Sequence, residues 1–291
     1  LAENITIMDQ YLKVHHPEYL FVAPVTNIEN TTLYLDKEQG YFRLFRFIEG
    51  SHTIDVADTA EQAFEAAYQF GKFTRLLSGF DATRLHTTIP DFHNLTLRYK
   101  QFENALKNGN AERIKQSRDL IKIIIDNTSI VDKFEKIKSS KEVKQRVSHH
   151  DTKISNVLFD QNGKGMCVID LDTTMSGYFI SDVGDMMRTY LSPSSEEVKE
   201  FDTIEVREDF FAAIVHGYAS TMGDELTATE KDLIFYSGLF LIYMQALRFL
   251  TDYFNNDVYY GARYEEHNFV RAGNQLQLLR KMNEKESLLS K

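Results

Sequence analysis

Residues 147–173, VSHHDTKISNVLFDQNGKGMCVIDLDT, put two histidines, an aspartate and an asparagine ahead of two short apolar runs that end on further aspartates. The runs NVLFD and GMCVIDLD are joined by QNGKG, whose Asn162-Gly163 pair is the strongest hairpin signal in the chain. A hairpin here places Asp151 and Asn156 on the loop entering its first strand and Asp170 at the end of its second. Three oxygen-bearing side chains then converge on one edge. Asparagine and aspartate oxygens suit a hard cation such as Mg²⁺, which keeps several waters and takes its remaining ligands from phosphates.

The rest of the chain is ordinary for a globular protein: 291 residues, 43% hydrophobic and 26% charged, enough for one large or two modest domains with a real core. With 33 basic against 43 acidic residues the formal charge is -10, which lacks the basic footprint of a nucleic-acid binder. Cys167, the single cysteine, excludes an intrachain disulfide, fits a reducing compartment and reads as a buried thiol in a strand. The longest apolar run, Leu233 to Leu247, falls short of the roughly 20 residues that cross a bilayer and reads as a core helix. The opening shows no signal-peptide pattern. These readings together point to a cytoplasmic protein without a membrane or nucleic-acid partner.

Periodicity predicts a helix over 1–15, then short strands in YLFVAPV (19–25) and in TTLYLDKEQGYFRLFRFIEG (31–50), with a turn at Lys37 to Gly40. An amphipathic helix follows over 58–77, with Asp58 or Thr59 as its cap. Further helices are expected near 93–107, 110–126 and 129–138, and the lysine-rich KIKSSKEVKQR after them reads as a solvated connection. The hairpin is the only clear β interruption in this second part. Long helices then occupy about 206–221, 228–254 and 266–286.

HHDTKISN followed by VIDLD resembles the H-x-D-x-x-x-x-N and I-D motifs of the aminoglycoside phosphotransferase and choline kinase-like superfamily, a protein-kinase catalytic loop with a simplified metal-binding segment. TIPDFHN, HDTKISNVLFD, VIDLDTTMSG, DVGDMMR, ALRFLTDYF and HNFVRAGNQLQLL resemble the N-acetylhexosamine 1-kinase branch in the same order, from about Tyr41 to Leu279. The resemblance implies an α+β, protein kinase-like fold. Residues 1–50 would be a partial N-terminal lobe and hinge, and residues 51–291 a mainly helical C-terminal lobe carrying the catalytic β-hairpin and the acceptor site. It also implies Mg²⁺ as cofactor, ATP as phosphate donor and a small-molecule sugar as acceptor.

Residue by residue, the family pattern makes Asp151 the base that orients the attacking hydroxyl, Lys153 a neutraliser of the transferred phosphoryl, and Asn156 and Asp170 the Mg²⁺ ligands. His149 would hold the loop through a backbone bond. Asp185 would brace the loop, and Asp172 either supports the metal or caps the next turn. FRFIEG resembles the hinge between kinase lobes, where backbone groups near Arg46 and Ile48 would meet adenine. Arg248 and Asp252, four apart on a helix, either reach toward the sugar or form an i,i+4 ion pair.

The chain departs from the branch in two places. His150 stands where asparagine is usual, which opens the question of acceptor choice. Neither a Gly-rich loop nor a strand lysine precedes the first helix, whose Glu3 would be that lysine's partner, so the front lobe is expected to be incomplete and to bind nucleotide weakly as it stands. Two alternatives to the sugar kinase remain: a kinase of another hydroxylated acceptor, such as an aminoglycoside or amino alcohol, and a non-catalytic kinase-like binding module.

Overall fold

The computed structural model describes residues 1–290. Helix α1 (Ala2–His15) drives Ile5, Met8 and Leu12 into the core. Strands β1 (Tyr34–Asp36) and β2 (Gly40–Phe42) pair antiparallel around a turn in which the Asp36 carboxylate accepts the amides of Glu38 and Gln39 and Gly40 takes φ 98°. The expected strand over 19–25 is reduced to a single bridge between Pro24 and Phe45. Proline has no N–H to give a ladder, and pairing stops there.

Helix α2 (Ala60–Leu76) starts at a capping box between Thr59 and Gln62, so Thr59 rather than Asp58 is the cap. Next comes α3 (Leu95–Asn108). The single helix expected over 110–126 is two, α4 (Ala111–Gln116) and α5 (Arg118–Asp126), broken at Ser117, whose hydroxyl donates to the Arg113 carbonyl. Helix α6 (Ser129–Ser139) leads into the lysine-rich stretch, which is not a solvated connection throughout. Its end is strand β3 (Gln145–Ser148), and Arg146 is buried with a bidentate grip on the fully buried Glu230, at 2.6 and 2.8 Å. Such a fork matches carboxylate geometry in a way that lysine would not.

The hairpin forms where the sequence puts it, β4 (Val157–Phe159) against β5 (Gly165–Val168), with Gly163 at φ 77° in its turn. It is not the only β structure of this part, because β6 (Met175–Tyr178) pairs antiparallel with β3. Helix α7 (Phe179–Tyr190) follows directly, then α8 (Glu208–Met222), the one-turn α9 (Ala228–Lys231), α10 (Ile234–Phe254), α11 (His267–Glu284) and the short α12 (Glu286–Leu289). The helix expected over 228–254 is thus interrupted between Lys231 and Ile234.

Helix α10 is the axis of the core. Its 21 residues, with an 18-residue window of mean hydropathy 1.3, are long and apolar enough to cross a membrane by length and composition, but they lie mostly buried, against α3, α7 and α11. Two glycines allow close helix contacts: a Cβ on Gly184 would lie 2.2 Å from the Ser237 carbonyl, and one on Gly217 would lie 2.4 Å from that of Phe64. Cys167 is fully buried in β5, and burial pushes its thiol up to about 12. Packed on α10, helix α7 supports the loop between β3 and β4.

Candidate active site

That loop is held by α7. His150 sits in the left-handed region at φ 67°, which a non-glycine residue enters at a cost of about 1–2 kcal/mol. What offsets the cost is Asp182: its two carboxylate oxygens accept the amides of His149 at 3.0 Å and His150 at 2.8 Å. Burial pushes the Asp182 carboxyl up to about 6, and the two amides pull in the opposite direction. One turn on, Asp185 accepts the Thr152 amide at 2.8 Å and the Arg188 Nε at 3.0 Å. Burial raises the Asp185 carboxyl, and the Arg188 charge opposes the shift. The Thr152 hydroxyl donates to the Asp182 carbonyl, and Tyr190 donates its hydroxyl to the Thr152 carbonyl.

Sequence reading named Asp185 and missed Asp182. The signal was present: in SDVGD the two acids are three apart and share one helix face. Asp182→Ala should destabilise the protein by roughly 2–6 kcal/mol, since each of two buried amides left without an acceptor costs about 1–3 kcal/mol. A urea midpoint measured beside Asp182→Asn, which keeps one acceptor oxygen, should rank the asparagine variant between the alanine variant and the parent.

His149 is fully buried, with its ring edge-on to Phe70. Its Nε2 lies 2.9 Å from the Ile169 carbonyl, while its Nδ1 faces the Asp151 amide at 3.4 Å. A carbonyl on one side and an N–H on the other define the tautomer: the proton sits on Nε2. The Asp151 carboxylate is held through Oδ2, by the Asn156 side-chain amide and by Lys153 Nζ, each at 3.1 Å. Asn156 also donates to the Asp151 carbonyl at 2.8 Å, and its own carbonyl accepts the Ile169 amide at 2.9 Å, which brings the residue before Asp170 alongside.

Asp170 is exposed and is itself left-handed, at φ 56°. The donor set fits a hard cation. Asn156 spends its side-chain N–H on Asp151 and keeps its amide oxygen, and Asp170 makes no hydrogen bond through its carboxylate among the described residues. One amide oxygen and one carboxylate suit an ion that brings waters and phosphate oxygens of its own.

Asp170 and Asp172 border a cavity of about 330 Å³ whose other walls include Arg46, Ile48, Phe45 and Leu158. The hinge-like segment and the end of the hairpin thus meet. Asp172 neither caps a turn nor stands free: Arg43 grips it through two hydrogen bonds, at 2.6 and 2.5 Å, and those bonds hold the guanidinium charged against the pull of partial burial. Arg43 was not singled out from the sequence, because nothing local connects it with a residue 129 positions away. Glu3 lies elsewhere, 3.1 Å from His86 Nε2 at the surface.

Arg248 and Asp252 line a second cavity, of about 520 Å³, but do not pair with each other. The buried Asp252 carboxylate accepts the amides of Tyr259 and Tyr260, at 2.8 and 2.9 Å, and the Asn268 side chain at 3.2 Å, so it folds the 255–260 loop. Arg248 instead lies over the rings of Phe92, Tyr259 and Tyr260. His150 turns inward, its Nδ1 3.3 Å from that of His93 and its ring against Gly177, where a Cβ would come within 2.4 Å. Burial, then the neighbouring His149, pull His150 down to about 4, so it is neutral at pH 7.

The family model for the phosphotransferase enzyme family matches residues 2–223, and the chain belongs to that family. By class it is therefore a small-molecule phosphotransferase. Among solved structures it is similar to an aminoglycoside phosphotransferase from Alicyclobacillus acidocaldarius, at 14% identity and a TM-score of 0.62, covering 99% of this chain and 84% of that one. It is also similar to a microcompartment-associated aminopropanol kinase, at 16% identity and a TM-score of 0.58 over 99% and 82% of the two chains. A third is spectinomycin phosphotransferase solved with ADP and spectinomycin, at 14% identity and a TM-score of 0.57 over 96% and 82%. At these identities the likeness is one of fold.

Proposed function

We propose that the protein is an ATP- and Mg²⁺-dependent kinase that transfers the γ-phosphoryl group to the anomeric hydroxyl of an N-acetylhexosamine, giving the hexosamine 1-phosphate and ADP. The observation that carries the reading is the hold on Asp151. Lys153 and Asn156 occupy Oδ2, which leaves Oδ1 without a hydrogen bond among the described residues and able to accept one from an incoming hydroxyl. As the acceptor oxygen bonds to phosphorus and the bond to the ADP oxygen breaks, Asp151 takes the hydroxyl proton and ADP leaves with the electron pair. Lys153 balances negative charge gathering on the transferred group. Mg²⁺, held by Asn156 and Asp170, would neutralise the nucleotide phosphates. Arg46 and Ile48 would border the adenine, residues 1–50 serving as the nucleotide-facing lobe and hinge, and residues 51–291 as the catalytic and acceptor lobe.

For the acceptor, the support is twofold. The TIPDFHN and HNFVRAGNQLQLL blocks resemble the sugar 1-kinase branch; His93 of the first meets His150 of the loop, and Asn268 of the second bonds to Asp252 on α10, beside the second cavity. The relatives named for aminoglycoside, spectinomycin and aminopropanol supply the competing acceptors. The full-length protein, assayed for ADP release with Mg²⁺ and ATP, is expected to use N-acetylglucosamine or N-acetylgalactosamine at a kcat/KM at least about tenfold above kanamycin or aminopropanol, a difference of about 1.4 kcal/mol in transition-state binding. The reverse order would overturn the assignment.

A further inference from the structure

We infer that the cavity formed by α3, α10 and the 255–260 loop is a binding subsite for a negatively charged group on the acceptor, held between Arg98 and Arg248. The inference rests on the phosphotransfer reading above and narrows its substrate class to a sugar that carries a carboxylate or a phosphate ester.

Three observations converge. First, neither guanidinium has a carboxylate partner among the described residues. Arg98 donates to the backbone carbonyl of Asp91 at 2.9 Å and to the Gln101 side chain at 3.0 Å, and Arg248 to the Gln245 side chain at 3.2 Å and the Tyr259 hydroxyl at 3.4 Å. Most other buried or half-buried arginines here do have one: Arg43, Arg113, Arg146, Arg188 and Arg271 are each paired with an acid. Second, Arg98 lines the cavity with its Nε buried and without a hydrogen-bond partner among the described residues, so the protein leaves this guanidinium incompletely satisfied. Third, the one acid lining the cavity is already spent. Asp252 accepts three N–H groups, while Asp91 turns its carboxylate to the Asn94 side chain.

Two positive charges that repel each other, with Lys100 also on the wall, are arranged for an anion rather than for the ammonium groups of an antibiotic or amino alcohol. Charge without a counter-charge is what a ligand of opposite sign completes. The cavity is linked to the reaction by contact. Arg248 lies 5.4 Å from the ring of Phe92, Phe92 stacks on His93 at 4.4 Å, and His93 meets His150, the residue before Asp151. Tyr259 and Tyr260 line the same wall.

Four probes test it: N-acetylmuramic acid for the carboxylate, N-acetylglucosamine 6-phosphate for the phosphate ester, neutral N-acetylglucosamine and cationic kanamycin. In the full-length protein an acidic sugar is expected to show a KM at least about tenfold below that of the neutral one, and Arg98→Gln or Arg248→Gln should lower the acidic-to-neutral ratio of kcat/KM about tenfold, mostly through KM. Arg248→Lys should restore part of the ratio. Equal use of acidic and neutral sugars by the parent protein, or a ratio unmoved by both glutamine variants, would overturn the subsite. If no probe is phosphorylated, the kinase reading fails instead, and calorimetric titration with the same four compounds still decides the subsite. Acidic sugars binding more tightly than N-acetylglucosamine, with the preference lost in Arg98→Gln, supports it; no preference sinks it.

Discussion

Asp151→Asn is expected to slow phosphoryl transfer by a factor on the order of 100–10,000 while nucleotide binding survives. The substitution keeps the size of the side chain and an oxygen able to accept a hydroxyl, but removes the charge that draws off the proton. It also removes the ionic partner of Lys153, 3.1 Å away, without touching the apolar walls of the cavity that runs from Ile48 to Asp170. Single-turnover transfer and calorimetric titration with ATP and Mg²⁺, run on the same preparation, separate the two effects. Near-normal turnover would mean that another group takes the proton. A comparable loss of ATP affinity would mean that Asp151 acts on the nucleotide rather than on the acceptor.

Asp170→Asn should fail in a different way. It takes charge from a group assigned to bind the metal, so nucleotide affinity at about 1 mM Mg²⁺ should fall and transfer should slow with it, because the metal neutralises phosphates in both the ground and transition states. Raising the Mg²⁺ concentration should recover part of the activity of Asp170→Asn and none of that lost in Asp151→Asn. Equal rescue of both variants would reverse the roles given to them. Asparagine tolerates the left-handed conformation that Asp170 adopts, so the test compares charge rather than backbone strain.

The candidate site stretch could be picked out in the sequence because its residues are local. Asp151, Lys153 and Asn156 fall within six consecutive residues, and Asn162-Gly163 sets the hairpin that returns the chain to Asp170. Helix periodicity marked α1, α2, α3, α8 and α11 to within a few residues for the same reason, since a face repeating every 3.6 residues is written along a short window. Breaks inside helices were harder. At Ser117, where α4 gives way to α5, the hydroxyl donates to the Arg113 carbonyl, a competition that composition does not reveal.

What the sequence by itself determined is the kind of chemistry: an oxygen-rich loop and strand end in a family whose members move phosphate. The tertiary structure alone decided which side chains are free to act. Asp172 and Asp252 look available in the sequence, yet one is clamped by Arg43 and the other by loop amides, whereas Arg98 and Arg248, unremarkable or seemingly paired in the sequence, stand without counter-charges. The reason is physical. Whether a charge is spent depends on which groups folding brings within about 3 Å of it, and for Asp172 that group arrives from 129 residues away, just after β2 in the front segment.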